Sequence, residues 1–357
     1  MRVVIVGAGI AGLSIGWRLR QRGAEVTILE RGQPAMAATW AAAGMIAAAG
    51  EMGELQTPEA EFGRYSSSLW PDFAKEIEAA SGHAIDFRRN GALMVLSKDA
   101  LASHPDALTP SAARAREPML TPAIPGAFWM PDESQVDARA LGPALAAAFV
   151  RAGGVLSVNE AAVRFTVHED RVIALHTAFA FYEADVFILA AGAWSGEFGG
   201  LPPEALPPIR PVKGEMIAVA PPAGDRVPTS VIWGNEVYLV PRTGRLLIGA
   251  TAAEAGFDTS VTDAAAAWLS SRALGLMPGL ATWQVVERWA GLRPATPDGA
   301  PVLGPTSLGR LFVASGQYRN GILFAPAVAE TLARLVLEHA AVPPAFDPRR
   351  FQRGQGT

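Results

Sequence analysis

The sequence predicts an α/β chain whose parallel-sheet pieces are discontinuous. Three observations support this: a compact strand–turn–helix–strand unit in the first thirty residues, a second buried apolar run at 183–196, and a β-then-α block at 310–340. The text between them reads as mostly antiparallel strands, and no internal repeat recurs at a fixed period.

The elements follow in order. Val3 to Val6 is a continuous apolar run, as expected of a parallel strand buried on both faces. Gly7, Gly9 and Gly12 come next, then a helical stretch through Arg22 that Gly23 is placed to end. Val26 to Leu29 gives a second strand, closing at Glu30. Residues 58–81 read as a helix ending near Ser81-Gly82, and "AIDFRRNGALMVL" (84–96) as two strands around the Asn90-Gly91 turn. The Pro-rich stretch 105–131 is expected to be irregular. Asp137 is a good N-cap for the helix after it. Residues 213–251 suggest an antiparallel meander, and 310–340 return to strand then helix.

Composition narrows the function. The chain has 357 residues, 50% of them hydrophobic and 18% charged, with net charge -4 and no Cys. Mild acidity without a Lys/Arg block argues against nucleic acid and anionic membranes as partners. The missing cysteines exclude disulfides, thiolate metal sites, a catalytic cysteine and a cysteine-tethered flavin. No metal cluster is expected, and without an export segment the expected compartment is the cytoplasm.

The run "GQPAMAATWAAAGMIAAAG" (32–50) has no charge and is nearly long enough to span a bilayer. Nine of its nineteen residues are Ala and three are Gly, however, and only Ile46 is strongly apolar and aliphatic. Leu, Ile, Phe and Val drive insertion, so it is no span. It is either an Ala-rich linker or backbone passing close to a ligand, where side chains would obstruct.

The G-x-G-x-x-G at Gly7, Gly9 and Gly12 lies between strand and helix, with an acidic residue ending the second strand. The first Gly permits the turn, the second lets backbone approach a pyrophosphate, and the third allows close helix packing. A diphosphate would face unpaired N–H groups at the positive helix end, and Ala8, Ile10 and Ala11, between the glycines, are expected to lie at the cofactor. Glu30 would accept from both ribose hydroxyls, which argues against a 2′-phosphate and hence NADP. The fingerprint does not separate FAD from NAD. A nicotinamide enzyme usually continues its α/β alternation after this point, whereas "ATWAAAGMIAAAGE" offers an extended small-residue path suited to an isoalloxazine ring. The overlapping Gly12-Leu13-Ser14-Ile15-Gly16 matches a hydrolase nucleophile elbow. Ser14 nevertheless falls well inside the helix, with no His placed as its base.

With "ATWAAAGMIA", "GLRPATPDGAPVLG" and "SGQYRNGILFAP" in order, the chain closely resembles the glycine oxidase family of D-amino-acid oxidase-like flavoproteins, which includes thiamin-pathway enzymes. "QVDARAL", "RPVKGEM", "YLVPR" and "GATAAEAGFD" extend the match over nearly the whole chain. The resemblance implies a Rossmann-type FAD-binding domain of discontinuous segments (1–80, 140–200 and 292–357). It also implies a substrate domain with a mostly antiparallel sheet (81–139 and 201–291). FAD would be bound non-covalently. A small amino acid such as glycine would be oxidatively deaminated to an imine that feeds thiazole synthesis or hydrolyses to glyoxylate, with oxygen reduced to peroxide. A homotetramer is also implied. By position, Arg31 joins Glu30 at the second strand's end, and Thr39, Ala43, Gly44 and Met45 lie along the flavin. Val163 contacts the adenine side through its backbone, and Gly192 closes the second flavin-binding strand. Gln317, Tyr318, Arg319, Asn320, Gly321, Ile322 and Leu323 form a loop around the ring.

Arg293 matches the arginine that grips the substrate carboxylate, and a planar guanidinium suits that role through two parallel charge-assisted bonds. The alternative for Arg293 is a salt bridge within the fold. Tyr238 matches a substrate-side tyrosine and Arg319 a residue near both ring and substrate; a core tyrosine and a surface arginine are the alternatives. Gln317 stands where a His often occurs, Ala252 where a Met can line the pocket, and Glu236 where some relatives have His. A smaller Ala252 could admit a bulkier substrate, and Glu236 could attract a second amine. The rival functions are an FAD-dependent dehydrogenase or oxidase of D-amino acids, sarcosine or proline, and a non-catalytic dinucleotide-binding protein.

Overall fold

Alternation along one strand builds the central layer. In Arg2–Val6, Val3 and Ile5 face a core of helices while Val4 and Val6 face a core formed with a small antiparallel sheet. A strand buried on both faces needs no polar side, which is why it is apolar from Val3 to Val6, beyond the exposed Arg2. The computed structural model describes residues 1–53 and 55–351; the end of the expected segment 292–357, from 352 on, lies outside the described residues.

Among the described residues, this strand is fourth in a six-stranded sheet ordered Val302–Pro305, Leu311–Ser315, Val186–Leu189, Arg2–Val6, Glu25–Leu29, Val155–Ser157. All pairs are parallel except the outer one between Val302–Pro305 and Leu311–Ser315. The first helix, Ile10–Gln21, ends as expected, with Gly23 at φ +85. It shares its core with helices Pro58–Ser81, Ala138–Arg151 and Gly321–Glu338 through Leu13, Trp70, Phe149 and Phe324. Asp137 caps the third of these four helices, its Oδ1 accepting from the Arg139 N–H at 2.9 Å. On the other face, strands Ala162–His168, Arg171–Thr177 and Phe181–Tyr182 form a three-stranded antiparallel sheet.

The seven-stranded sheet runs Gln284–Ala295, Arg210–Ala220, Arg245–Gly249, Val237–Arg242, Val231–Gly234, Ala92–Leu96, Gly126–Met130. Its pairs are antiparallel except Val231–Gly234 with Ala92–Leu96. One face packs on helix Asp263–Leu276 through Leu239, Ile248 and Leu269. The other packs Met216, Val240, Trp233 and Trp289 against Ala41, Ala43 and Ala47. The expected boundary at 291/292 falls inside the strand Gln284–Ala295.

Two expectations are corrected. Residues 84–89 do not pair with Ala92–Leu96; that strand's two edges are taken by Val231–Gly234 and Gly126–Met130. Arg88 instead bridges Gln135, and the Asn90 amide donates to the Thr229 carbonyl. Nor is 105–131 irregular throughout. Pro110 opens a short helix, Pro110–Arg116, capped by Thr109, and Gly126–Met130 is an edge strand. Proline at a helix start needs no N–H partner, so Pro-rich text did not preclude a helix.

The run 32–50 is neither span nor free linker. It holds a helical turn (Ala38–Ala41) and a two-residue strand (Met45–Ile46) paired with Ser134–Gln135, with a further short helix, Ala48–Met52, beginning within it. Among the described residues no helix is long and apolar enough to cross a membrane.

Candidate active site

A cavity of about 420 Å³ opens beyond the carboxyl end of the first strand and is walled from both large sheets. That is where open parallel sheets bind ligands, and the volume lies in the range of small-molecule sites.

The three fingerprint glycines have separable reasons. Gly7 sits at φ +100, which its turn requires. A Cβ on Gly12 would stand 1.9 Å from the Gly7 carbonyl oxygen, so the helix could not pack there. Gly9 is different. Its φ of -75 suits any residue, and an added Cβ would meet only Thr39 Oγ1, at 3.6 Å. Gly9 lines the cavity at the first helix's N-terminus, so the protein itself leaves room for a side chain that is not there. That gap fits a pyrophosphate held against helix N–H groups. Glu30 turns one carboxylate oxygen to the Ala8 N–H (2.8 Å) and the other to the Gly32 N–H (3.0 Å). Each oxygen keeps a lone pair for a ribose hydroxyl. Beside it Arg31 stacks on Trp194, with 3.6 Å from guanidinium carbon to ring centroid.

The small-residue run forms one long wall through Ala37, Ala38, Thr39, Ala41 to Met45, and Ala47. Thr39 Oγ1 accepts from the Ile10 N–H at 2.9 Å, tying the run to the first helix. Arg242, 2% exposed, donates to the carbonyls of Ala43, Val136 (2.6 Å) and Pro241 (2.8 Å) and to the Gln135 amide oxygen. Burial pulls its pKa down to about 10, with Asp137 and Asp86 opposing that. Smooth backbone along the wall therefore depends on a buried cation below it.

At the far end Tyr238, Arg293, Arg319, Glu51 and Met216 meet. The Arg293 guanidinium lies over Gly214, where an added Cβ would be 2.3 Å from Nη1, and Nη1 donates to the Thr251 carbonyl at 3.1 Å. Among the described residues no carboxylate pairs with Arg293 within 4.0 Å. Arg319 pairs with Glu51, Nε to Oε2 at 3.2 Å. Partial desolvation works against the Arg319 charge, although its side chain is still 48% exposed, and Glu51, Tyr238 and Tyr318 outweigh it and hold the guanidinium above its ordinary pKa. Burial pushes the Tyr238 phenol up, with Arg293 and Arg319 pulling the other way, and its OH donates to Met216 Sδ at 3.7 Å. The phenol stays protonated at neutral pH.

Most of the expected residues lie in this wall: Gly7, Gly9, Ile10, Ala11, Glu30, Arg31, Thr39, Ala43, Gly44, Met45, Gly192, Tyr238, Arg293, Gln317, Tyr318, Arg319, Asn320, Gly321 and Ile322. Four do not. Ala8 and Gly12 are buried behind it. Leu323 is a core residue whose carbonyl accepts from Ser66 and Trp70. Val163 is 56% exposed on its strand, and its neighbours Ala161 and Ala162 line the cavity instead. Glu236 and Ala252 are also outside it; Glu236 is an exposed turn residue paired with Arg272 at 2.7 Å. The carboxylate at the Arg293 end of the cavity is Glu51, which sequence reasoning passed over, as it did Arg242. Only the block "YLVPR", which ends in Arg242, carried a signal for the latter.

Comparison with known proteins places this geometry. A family described as "FAD dependent oxidoreductase" matches residues 2–335. The glycine oxidase of Geobacillus kaustophilus is 35% identical, over 94% of this chain and 92% of its own. The crystal structure of glycine oxidase from that organism superposes with TM-score 0.89 at 33% identity, covering 100% of this chain and 99% of that one. A bifunctional protein ThiO/ThiG of Synechocystis sp. is 34% identical over 98% of this chain, and the chain spans about half of that protein, 54%.

Proposed function

The chain belongs to the FAD dependent oxidoreductase family, and on that premise we propose that it oxidises glycine, or a comparably small amino acid, to the imine. Hydrolysis of the imine yields glyoxylate and ammonia, and oxygen takes the electrons to give hydrogen peroxide. The relatives named glycine oxidase and ThiO/ThiG support this substrate and a role for the imine in thiamin thiazole synthesis. A cytoplasmic homotetramer is part of the same proposal. So is the division into an FAD-binding body around the six-stranded sheet and a substrate body around the seven-stranded one.

One observation bears most of the weight: Arg293 faces the cavity without a carboxylate partner among the described residues, beside a half-buried protonated phenol. A half-buried cation without a counter-charge is costly unless a ligand supplies one. A bidentate carboxylate does so and fixes the substrate's orientation. The Thr251 carbonyl and the bare Gly214 surface set the plane of the guanidinium. Tyr238 is placed to donate a second bond to the same carboxylate. When bound, FAD supplies the acceptor for the hydride and then the reductant of oxygen. No His lines the cavity among the described residues, so no imidazole takes part, and in this proposal the amine reacts in its neutral form, which needs no strong protein base. The side chains contribute orientation and exclusion of water.

The test is the anaerobic visible spectrum of the holoenzyme with glycine. Bleaching is expected in the wild type. Arg293→Ala should keep its flavin but bind glycine about 30-fold more weakly or worse, since truncating one partner of such a pair costs ~2–5 kcal/mol. Unchanged glycine affinity in that variant would refute the assignment.

A further inference from the structure

Resting on that reading of the cavity as a carboxylate site, we propose that Glu51 sets substrate specificity by occupying Arg319, so that the site accepts amines with one carboxylate and rejects those with two. Among the described residues two guanidinium groups face the end of the cavity around Tyr238, and they are not equivalent. Arg293 has only neutral partners among the described residues, the Thr251 carbonyl and the Tyr238 phenol. Arg319 is engaged twice by Glu51, Nε to Oε2 at 3.2 Å and Nη2 to Oε1 at 3.5 Å, and that carboxylate's side chain is only 14% exposed.

The charge balance at this end decides the substrate class. Arg293, Arg319 and Glu51 sum to one positive charge, which a single substrate carboxylate neutralises. A second carboxylate must displace Glu51 from Arg319 or lie against it. Displacement is disfavoured because Glu51 is tethered and its backbone is fixed. It belongs to the short helix Ala48–Met52, whose Ala49 N–H is held by Glu133 Oε1 at 2.7 Å. Lying against Glu51 sets like charges side by side in a partly dehydrated site, which suppresses the wrong partner as effectively as good contacts favour the right one. Glu51 thus prevents the second arginine from becoming a second carboxylate grip. The expected specificity is for glycine-like monocarboxylates over N-carboxymethyl amines such as iminodiacetate.

The experiment is isothermal titration of the FAD-loaded protein with glycolate and with diglycolate, a one-carboxylate and a two-carboxylate probe that carry no amine and undergo no turnover. The readout is the ratio of diglycolate to glycolate affinity. Glu51→Gln should raise this ratio at least tenfold over wild type. Glu51→Asp keeps the charge but, one methylene shorter on a fixed backbone, holds Arg319 less well, so its ratio should rise less than that of Glu51→Gln, and Glu51→Gln with Arg319→Gln should return it to within threefold. A ratio that moves less than threefold in Glu51→Gln overturns the proposal. So does a rise that survives loss of Arg319. If the wild type binds glycolate but the ratio does not move, the pair alone is wrong. If the wild type binds no glycolate, the carboxylate-site reading fails as well.

Discussion

Replacing Gly9 by Ala separates what the fold needs from what the cofactor needs. The backbone at Gly9 (φ -75) accepts Ala, and the new Cβ would meet only Thr39 Oγ1 at 3.6 Å, an ordinary contact. Gly9 is the N-cap of the first helix, where Ala is worse than Gly by up to about 1 kcal/mol. The apoprotein should therefore lose no more than that. The methyl would instead project into the space assigned to the pyrophosphate and push phosphate oxygens away from the helix N–H groups. Losing one charge-assisted bond there costs ~1.5–3 kcal/mol, or roughly 10- to 150-fold in affinity. Titrating apoprotein with FAD, followed by flavin fluorescence quenching, gives the affinity; urea unfolding of apoprotein gives the stability. Gly12→Ala is the contrasting control. Its Cβ would sit 1.9 Å from the Gly7 carbonyl, so it should damage the apoprotein itself, by about 1–3 kcal/mol or more. FAD affinity within threefold of wild type in Gly9→Ala would refute the pyrophosphate assignment. An apoprotein weakened as much as Gly12→Ala would show that Gly9 serves packing.

Two further outcomes are expected. Arg242→Met should leave the carbonyls of Ala43 and Val136 and the Gln135 amide without their donor. A loss of about 3–5 kcal/mol in urea unfolding follows, with weaker FAD retention, and a loss below about 1 kcal/mol would show that the wall does not depend on this cation. Glu133 gives a pH signature. Burial raises its carboxyl pKa from 4.5 to about 7, against the N–H groups of Ala49 and Gly50, with Glu51 and Asp132 adding to the rise. The folded state then keeps a proton that the unfolded state releases, so stability is full below pH 4.5 and falls as pH rises to about 7. The decline amounts to ~3 kcal/mol. Glu133→Gln stays neutral, so its stability relative to wild type should improve by about that much between pH 4.5 and 8; a pH-independent difference would exclude Glu133 as the cause.

The sequence by itself determined the parts whose physics is local. Apolar periodicity and turn chemistry set the strand, three-glycine turn and helix of residues 2–21, the cap at Asp137 and the helix ending at Gly82. Each of these is decided within a few residues of chain. Family blocks brought Arg293, Tyr238 and Arg319 into view, and the structure brings all three to one end of the cavity. Tertiary structure alone decided what depends on competition between distant segments. The Asn90-Gly91 turn joins no hairpin because two strands from elsewhere occupy both edges of Ala92–Leu96. Arg242 reaches Ala43 across 199 positions, Glu51 meets Arg319 across 268, and Gly214 is bare because the Arg293 guanidinium lies on it. A lone Glu or Gly in a sequence carries no mark of such a partner. Its charge and size acquire meaning only when folding buries them together, where an unmatched ion or an extra methyl becomes costly.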